Sequence, residues 1–405
     1  MTARNFCLLD IYTDYLLVSF GQASATGLSR LLPDISHDQV TRFLAQETLT
    51  DKDLWHIVKP HLRKVQSDEA VLIIDDTVEE KPYTDESELI TWHFDHTVNR
   101  HVKGINLVSC LYHNQQASLP VGFHLVHKTE LTTFEKTNKK GEVVICERWQ
   151  SPVTKNEIAR TMVSSAIAKQ IPFRYVRSKQ VLTALTDAWF SCAENMTFIK
   201  QTAKKDFIMP LKSNRKVAFS PQPKKKGKWQ SLDSLDFDTN SLPTLYLEGI
   251  PFPLQVMRQG REIASSDFLD FINENGSQGI LYLCTQDKML CILLCSDLSL
   301  SKDELATIYQ KRWNQVQTSL HRVEEYHKSL KSNAALSKSP TKLPRTQSNH
   351  FFASLVAFVK METMRFTTKW NHFALKTKLY QAALVAAFNK LTEIKQENSI
   401  LPITL

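Results

Sequence analysis

Between residues 69 and 214 the chain alternates apolar runs and helical stripes in one fixed order, and that order limits what it can fold into. EAVLIIDD (69–76), KGINLVSCLYH (103–113) and SLPVGFHLV (118–126) read as three strands of an antiparallel meander, with a short polar turn at 114–118. KNEIARTMVSSAIAKQI (155–171) has helical spacing, and KQVLTALTD (179–187) reads as a strand ending on an acid. AWFSCAENMTFIKQTA is a second helix and DFIMPLKSN a last strand. Three strands, helix, strand, helix, strand predicts an α/β core with a mixed five-stranded sheet covered by helices.

The flanks have different patterns. Residues 1–65 read as helical, with Ser36 in the turn PDIS placed to cap the helix that follows. Helix, tight turn and helix is the outline of a helix-turn-helix, exposing His37, Gln39 and Arg42, and equally of a plain helical packing module. The core occupies 66–217. Residues 218–300 interrupt it with a mostly β insertion that opens on a Pro- and Lys-rich loop, SPQPKKKGKWQ. A helical region at 301–345 follows, then further helices at 346–405.

Bulk properties exclude several classes. No apolar run approaches the roughly 20 residues that span a bilayer, and acids interrupt the apolar N-terminus, so a cytoplasmic protein is expected. Seven cysteines, an odd number without a CxxC pair, signal neither a disulfide framework nor a zinc ribbon and read as buried free thiols. His93, His96 and His101 match no zinc-ligand spacing and read as a polar loop. Glu79, Glu80, Asp85, Glu86 and Glu88 read as a solvated acidic run. The net charge of +8 favours a polyanionic partner.

In open α/β sheets, ligands sit beyond the carboxyl ends of the strands, where this reading places Asp75 and Asp187. Phosphodiester cleavage needs an activated oxygen nucleophile and a stabilised leaving oxygen. Two Mg²⁺ ions held by converging carboxylates serve both needs. Two acids at neighbouring strand ends and a third on a crossing helix would supply such a site.

The strand order is that of the ribonuclease H fold, and IDDT (74–77), TDAWF (186–190), YQKRW (309–313) and VEEYHKSLK (323–331) carry a resemblance. They resemble the DDE transposases of bacterial insertion sequences, in the group with a Tyr-x2-Arg-x3-Glu-x6-Lys signature. The resemblance runs from about residue 30 to 370. It implies catalytic, metal-binding roles for Asp75, Asp187 and Glu324, with two Mg²⁺ (Mn²⁺ as substitute). Asp76 is a neighbour that could exchange roles with Asp75. Tyr309, Arg312, Lys328 and Lys331 would contact DNA phosphates, and Lys212, Arg215 and Lys216 would add sequence-independent phosphate binding. Further implications are double-stranded DNA partners (the element's terminal inverted repeats and a target), a homodimer in the synaptic complex, a helical N-terminus that recognises the ends, and association with the bacterial nucleoid.

One spacing departs from the signature. Eleven residues separate Arg312 from Glu324 where the pattern has three, and deleting QVQTSLHR (315–322) restores it. On one unbroken helix, eight added residues would shift Glu324 by about 12 Å and rotate it by about 80°. The sequence therefore admits a working transposase, a hydrolysis-only ribonuclease H-fold nuclease, or a catalytically impaired DNA-binding derivative.

Overall fold

The computed structural model describes residues 3–95, 100–137, 141, 143–178, 190–211, 215–221, 229–235, 242–260, 290–305 and 321–397. Four helices come first: α1 (Ala3–Val18), α2 (Ala25–Leu31), α3 (His37–Ala45) and α4 (Asp51–Val65). Local chemistry sets their starts. The Ser24 hydroxyl accepts from Gly27 N ahead of α2, and Ser36 and Gln39 cap α3 reciprocally. His37 and Arg42 are exposed, while Gln39 is half-buried and occupied by the cap.

The sheet begins with β1 (Val71–Glu80), β2 (Thr91–Asp95), β3 (Arg100–His113) and β4 (Ser118–Leu125). A separate ribbon, β5 (Glu130–Thr137) with β6 (Val143–Gln150), stands off it. Then come α5 (Lys155–Ala168), β7 (Tyr175–Ser178), α6 (Ala193–Thr197), which runs on as a π-helical turn over Phe198–Thr202, and β8 (Asp206–Pro210). β1 is antiparallel to β3 and β3 to β4, while β7 lies parallel to β1 and β8 parallel to β7. The order β4-β3-β1-β7-β8 is the ribonuclease H arrangement, so the mixed α/β core expected from the run order is present.

The sheet does not stop at β8. β9 (Lys216–Ala218), β10 (Gln230–Ser231), β11 (Thr244–Leu247), β12 (Pro253–Gly260) and β13 (Leu290–Cys295) extend it in the order β8-β13-β12-β11-β9-β10. Three helices complete the described chain: α7 (His321–Ser332), α8 (Pro344–Thr368) and α9 (His372–Glu397).

Residues 346–359 of α8 are buried all round, the apolar FFASLVAFV together with the polar TQSNH before it, so the polar side chains must find partners inside the core. The Tyr12 hydroxyl on α1 donates to His350 Nδ1 at 2.9 Å, and His350 Nε2 donates to Ala335 O at 2.8 Å. The ring is thereby fixed as one neutral tautomer, and burial pushes its pKa down to about 4. At the other end of α8, Glu362 accepts from Ser118 N, Arg365 and His372, tying β4 and α9 to this central helix.

Some elements differ from expectation. β1 was expected to end at Asp76 but continues to Glu80, because 76–80 ladder with 104–108 of the longer β3. Residues 179–187, expected as a strand, lie outside the described residues, and the strand parallel to β1 is the preceding YVRS. The thiols are not uniformly buried: Cys110 and Cys295 are, whereas Cys7 is exposed.

Candidate active site

Adjacent residues of a strand face opposite sides, so the two acids of β1 part company. Asp75 points toward α7, where His327 Nδ1 lies 3.3 Å from Asp75 Oδ2, both side chains only 8% exposed. Asp76 points toward α5. Its Oδ2 accepts from Lys155 Nζ at 2.7 Å and from Asn106 Nδ2 at 2.8 Å. Lys155 is the first residue of α5, behind a Thr154–Glu157 capping box that fixes where the helix starts. Asn106 is the diagonal cross-strand neighbour of Asp76, two residues from its direct partner Val108. Burial pushes the Asp76 carboxyl up, but the Lys155 ammonium, the two hydrogen bonds and the His327 ring outweigh it. The result is a carboxyl below its ordinary range.

α7 presents three different sides. Tyr326 and Leu330 are buried, with Tyr326 edge-on to Phe358 of α8 at 4.9 Å. His327 and Lys331 face β1: Lys331 Nζ donates to Val78 O at 2.8 Å and lies 3.9 Å from Glu79. Lys328 is exposed, its ammonium 5.5 Å from the Phe373 ring. Glu324 precedes His327 by one turn and Lys331 by two in the sequence of α7. Its backbone belongs to α7, and its side chain lies outside the described residues.

Two readings need correction here. Glu79 is not part of a solvated run; it is 8% exposed inside β1, where burial raises its pKa against the pull of Lys331 and Lys81. Its partner Lys331, expected on DNA phosphate, donates in this DNA-free chain to the Val78 carbonyl. His93 is likewise no loop residue. It is buried in β2 within 2.8 Å of the Thr91 hydroxyl, with a pKa pushed down to about 3 by burial and by Lys128 and Lys155. His101 lies in β3, and His96 is outside the described residues.

The remaining candidates divide. Arg215 and Lys216 sit at the start of β9, six strands along the sheet from β1, so the sheet does not seat them beside Asp75. Asp187, Lys212, Tyr309 and Arg312 lie outside the described residues. Among the described residues, no three acid, histidine or cysteine side chains converge as a metal group. The described part of the site thus contributes two buried carboxylates on the α7 side, Asp75 and Glu79, hard oxygen donors of the kind Mg²⁺ takes.

The ladder between β1 and β7 ends at Ile74–Ser178. One step further on β1 is Asp75, while residues 179–187, which include Asp187, lie outside the described residues. The 315–322 segment that separates Arg312 from Glu324 beyond the signature spacing is eight residues long.

Sequence reasoning did not single out His327 or Lys155. His327 carried a usable signal, since it follows Glu324 by three residues on one helix face. Lys155 carried none, because its bond to Asp76 spans 79 residues.

A family model described as DDE superfamily endonuclease matches residues 2–237, more than half of the 405-residue chain. No curated protein matches it.

Proposed function

This chain belongs to the DDE superfamily endonucleases, and from that premise we propose that it is a DDE-type DNA transposase, cutting the ends of an insertion sequence and joining them to target DNA. The observation that carries the reading is the opposed placement of the β1 acids. Asp75 faces the helix that bears Glu324, while Asp76 is neutralised by Lys155 on the other face. That supports Asp75 as first acid, with Asp187 and Glu324 as its partners.

Those three carboxylates would hold the two Mg²⁺ ions, or Mn²⁺ in their place, which when bound polarise the phosphate and lower the pKa of the attacking water. The chain's own residues do the rest. His327 fixes the Asp75 carboxylate beside β1, and Lys331 clamps α7 against the Val78 carbonyl. Tyr309, Arg312 and Lys328 would meet backbone phosphates near the scissile bond, with Lys212, Arg215 and Lys216 further along the DNA. The helical N-terminus, with α2 and α3 as a helix-turn-helix, is the element for reading terminal inverted repeats.

A second reading has specific support. Glu324 is displaced by eight residues from the signature spacing to Arg312, which favours a copy that binds its ends but cuts poorly. The test is one experiment with duplex DNA carrying the element's ends, in Mg²⁺ and in Mn²⁺. Specific binding with cleavage and strand transfer, lost in Asp75→Ala while binding persists, supports the transposase. Cleavage without strand transfer indicates a nuclease. Binding with no cleavage in either metal establishes the impaired derivative, and equal cleavage by Asp75→Ala overturns the site.

A further inference from the structure

The turn between α8 and α9 sends a side chain back into the core. α8 gives way at Lys369, which is left-handed with φ 61°, and Asn371 Oδ1 accepts from Ala374 N at 2.7 Å to start α9. His372, the first residue of α9, is thereby buried, with 9% of its surface exposed. Its Nε2 lies 3.0 Å from Glu362 Oε2, and its Nδ1 lies 2.9 Å from the Ser329 hydroxyl of α7. A carboxylate only accepts, so Nε2 carries a hydrogen and Nδ1 is left to Ser329. Glu362 is itself fixed by Arg365 and by Ser118 N of β4, and Ser329 accepts from Asn333 Nδ2 at 3.1 Å. The whole chain of contacts is buried.

Such a chain could do no more than tie elements together. What sets this one apart is the helix it holds. α7 bears Glu324, and it meets β1 through His327 and Lys331. Ser329 falls midway between those two residues, about 200° round the helix from each. α7 is therefore gripped on opposite sides, by β1 on one and by His372 on the other. The His372 ring adds a T-shaped contact to Phe358 at 4.9 Å, and Phe358 makes another to Tyr326 of α7 at 4.9 Å. Two opposed grips fix the roll of a helix, which neither does alone. A roll of about 10° carries a side-chain tip about 5–6 Å from the axis through about 1 Å. Misplacement by about 1 Å costs roughly a hundredfold in rate.

We propose that His372 is a positioning residue for the active site: its bond to Ser329 sets the roll of α7, and so the approach of Glu324 and His327 to Asp75. The proposal rests on the reading of α7 as the helix of the third acid.

The two contacts of the imidazole can be separated. An Asn amide takes the place of Nδ1 and a Gln amide that of Nε2. In the full chain, His372→Asn keeps Ser329 and gives up Glu362, while His372→Gln does the reverse. Histidine-labelled protein supplies a magnetic-resonance readout that needs no catalysis: the ring signals of His327, assigned by their loss in His327→Gln. At fixed pH they should hold the wild-type position in His372→Asn and move in His372→Gln and in Ser329→Ala. With Mn²⁺ and duplex DNA carrying the element's ends, the maximal cleavage rate should split the same way, at least about tenfold lower in His372→Gln at unchanged DNA affinity. A merely structural role ranks the variants the other way, because His372→Asn takes a partner from the buried Glu362 charge and should be the less stable of the two in urea. If His372→Asn does not fold, Ser329→Ala decides alone, since it leaves the Glu362–His372 pair intact. His327 signals that stay in place in both His372→Gln and Ser329→Ala overturn the proposal, as does a loss of rate that follows urea stability. A wild type that binds its ends without cutting sinks the catalytic reading, and the His327 signals still decide this one.

Discussion

Glu362 shows how a buried charge is kept at residue scale. It is 2% exposed, yet burial is outweighed by His372, by two bonds from Arg365 and by their charges, and its carboxyl falls to about 2. The group's ordinary value is 4.5, so the folded state binds the proton less readily than the unfolded chain does. Stability from this group is complete above about pH 4.5 and is lost as pH falls toward 2, a contribution of roughly 3 kcal/mol. Glu362→Gln should therefore cost about 2–3 kcal/mol at pH 7 in urea denaturation. It should also flatten the loss of stability between pH 5 and pH 2, and an unchanged acid limb would refute the assignment. Partners brought from far along the chain also separate Asp75 from Asp76. The sequence shows two equivalent adjacent acids, and only the distant Lys155 and His327 make them different.

At the scale of elements, β1 owes its length to β3. Gly104 lies opposite Glu80 at the middle of a three-strand stack, paired on its other side with Thr91 of β2. A Cβ there would stand 2.2 Å from the Glu79 carbonyl oxygen, and backbone cannot step aside as a flexible side chain can. Gly104→Ala should cost about 1–3 kcal/mol by forcing the strands apart, seen as a lower thermal midpoint with faster amide exchange at 78–81 than in α8. The acids invite a different experiment. If the 315–322 segment holds Glu324 away from Asp75, removing it should raise Mn²⁺-dependent cleavage at least about tenfold, since metal catalysis needs all its ligands. A deletion variant that folds and binds DNA, yet cuts no better, would show that this segment is a native part of the site.

For the whole molecule, what was readable in advance was local. The helical N-terminus, the Ser36 cap, the antiparallel meander and α5 all follow from periodicities of 3.6 or 2 and from capping residues, which the chain carries within a few positions. What was not readable depends on partners far away in sequence. The extension of β1 past Asp76 needs β3. The burial of Glu79 and the capture of Lys331 need α7 to lie on β1, and no pattern near residue 79 announces that. The acidic run reads as solvated because charge runs usually are, yet Glu79 and Glu80 both belong to β1, and Glu79 is buried there. The candidate site was legible as motifs but not as faces: IDDT and VEEYHKSLK could be found, while which acid looks toward which helix could not.

The unbroken sheet has a practical consequence for anyone who trims this chain. The family match ends at residue 237, a tempting place to cut. β8, however, is flanked on its far side by β13, which lies 80 residues beyond it, with Leu293–Cys295 against Ile208–Pro210. A piece ending at 237 would carry a raw edge of Phe207, Ile208 and Met209, all buried in the intact protein, with backbone donors and acceptors facing water. Such a piece should precipitate or form thioflavin-binding aggregates at concentrations where the full chain gives clear solutions, and a clear, monomeric piece would contradict this. Here the boundary of the family match and the boundary of what can stand alone in solution are different places.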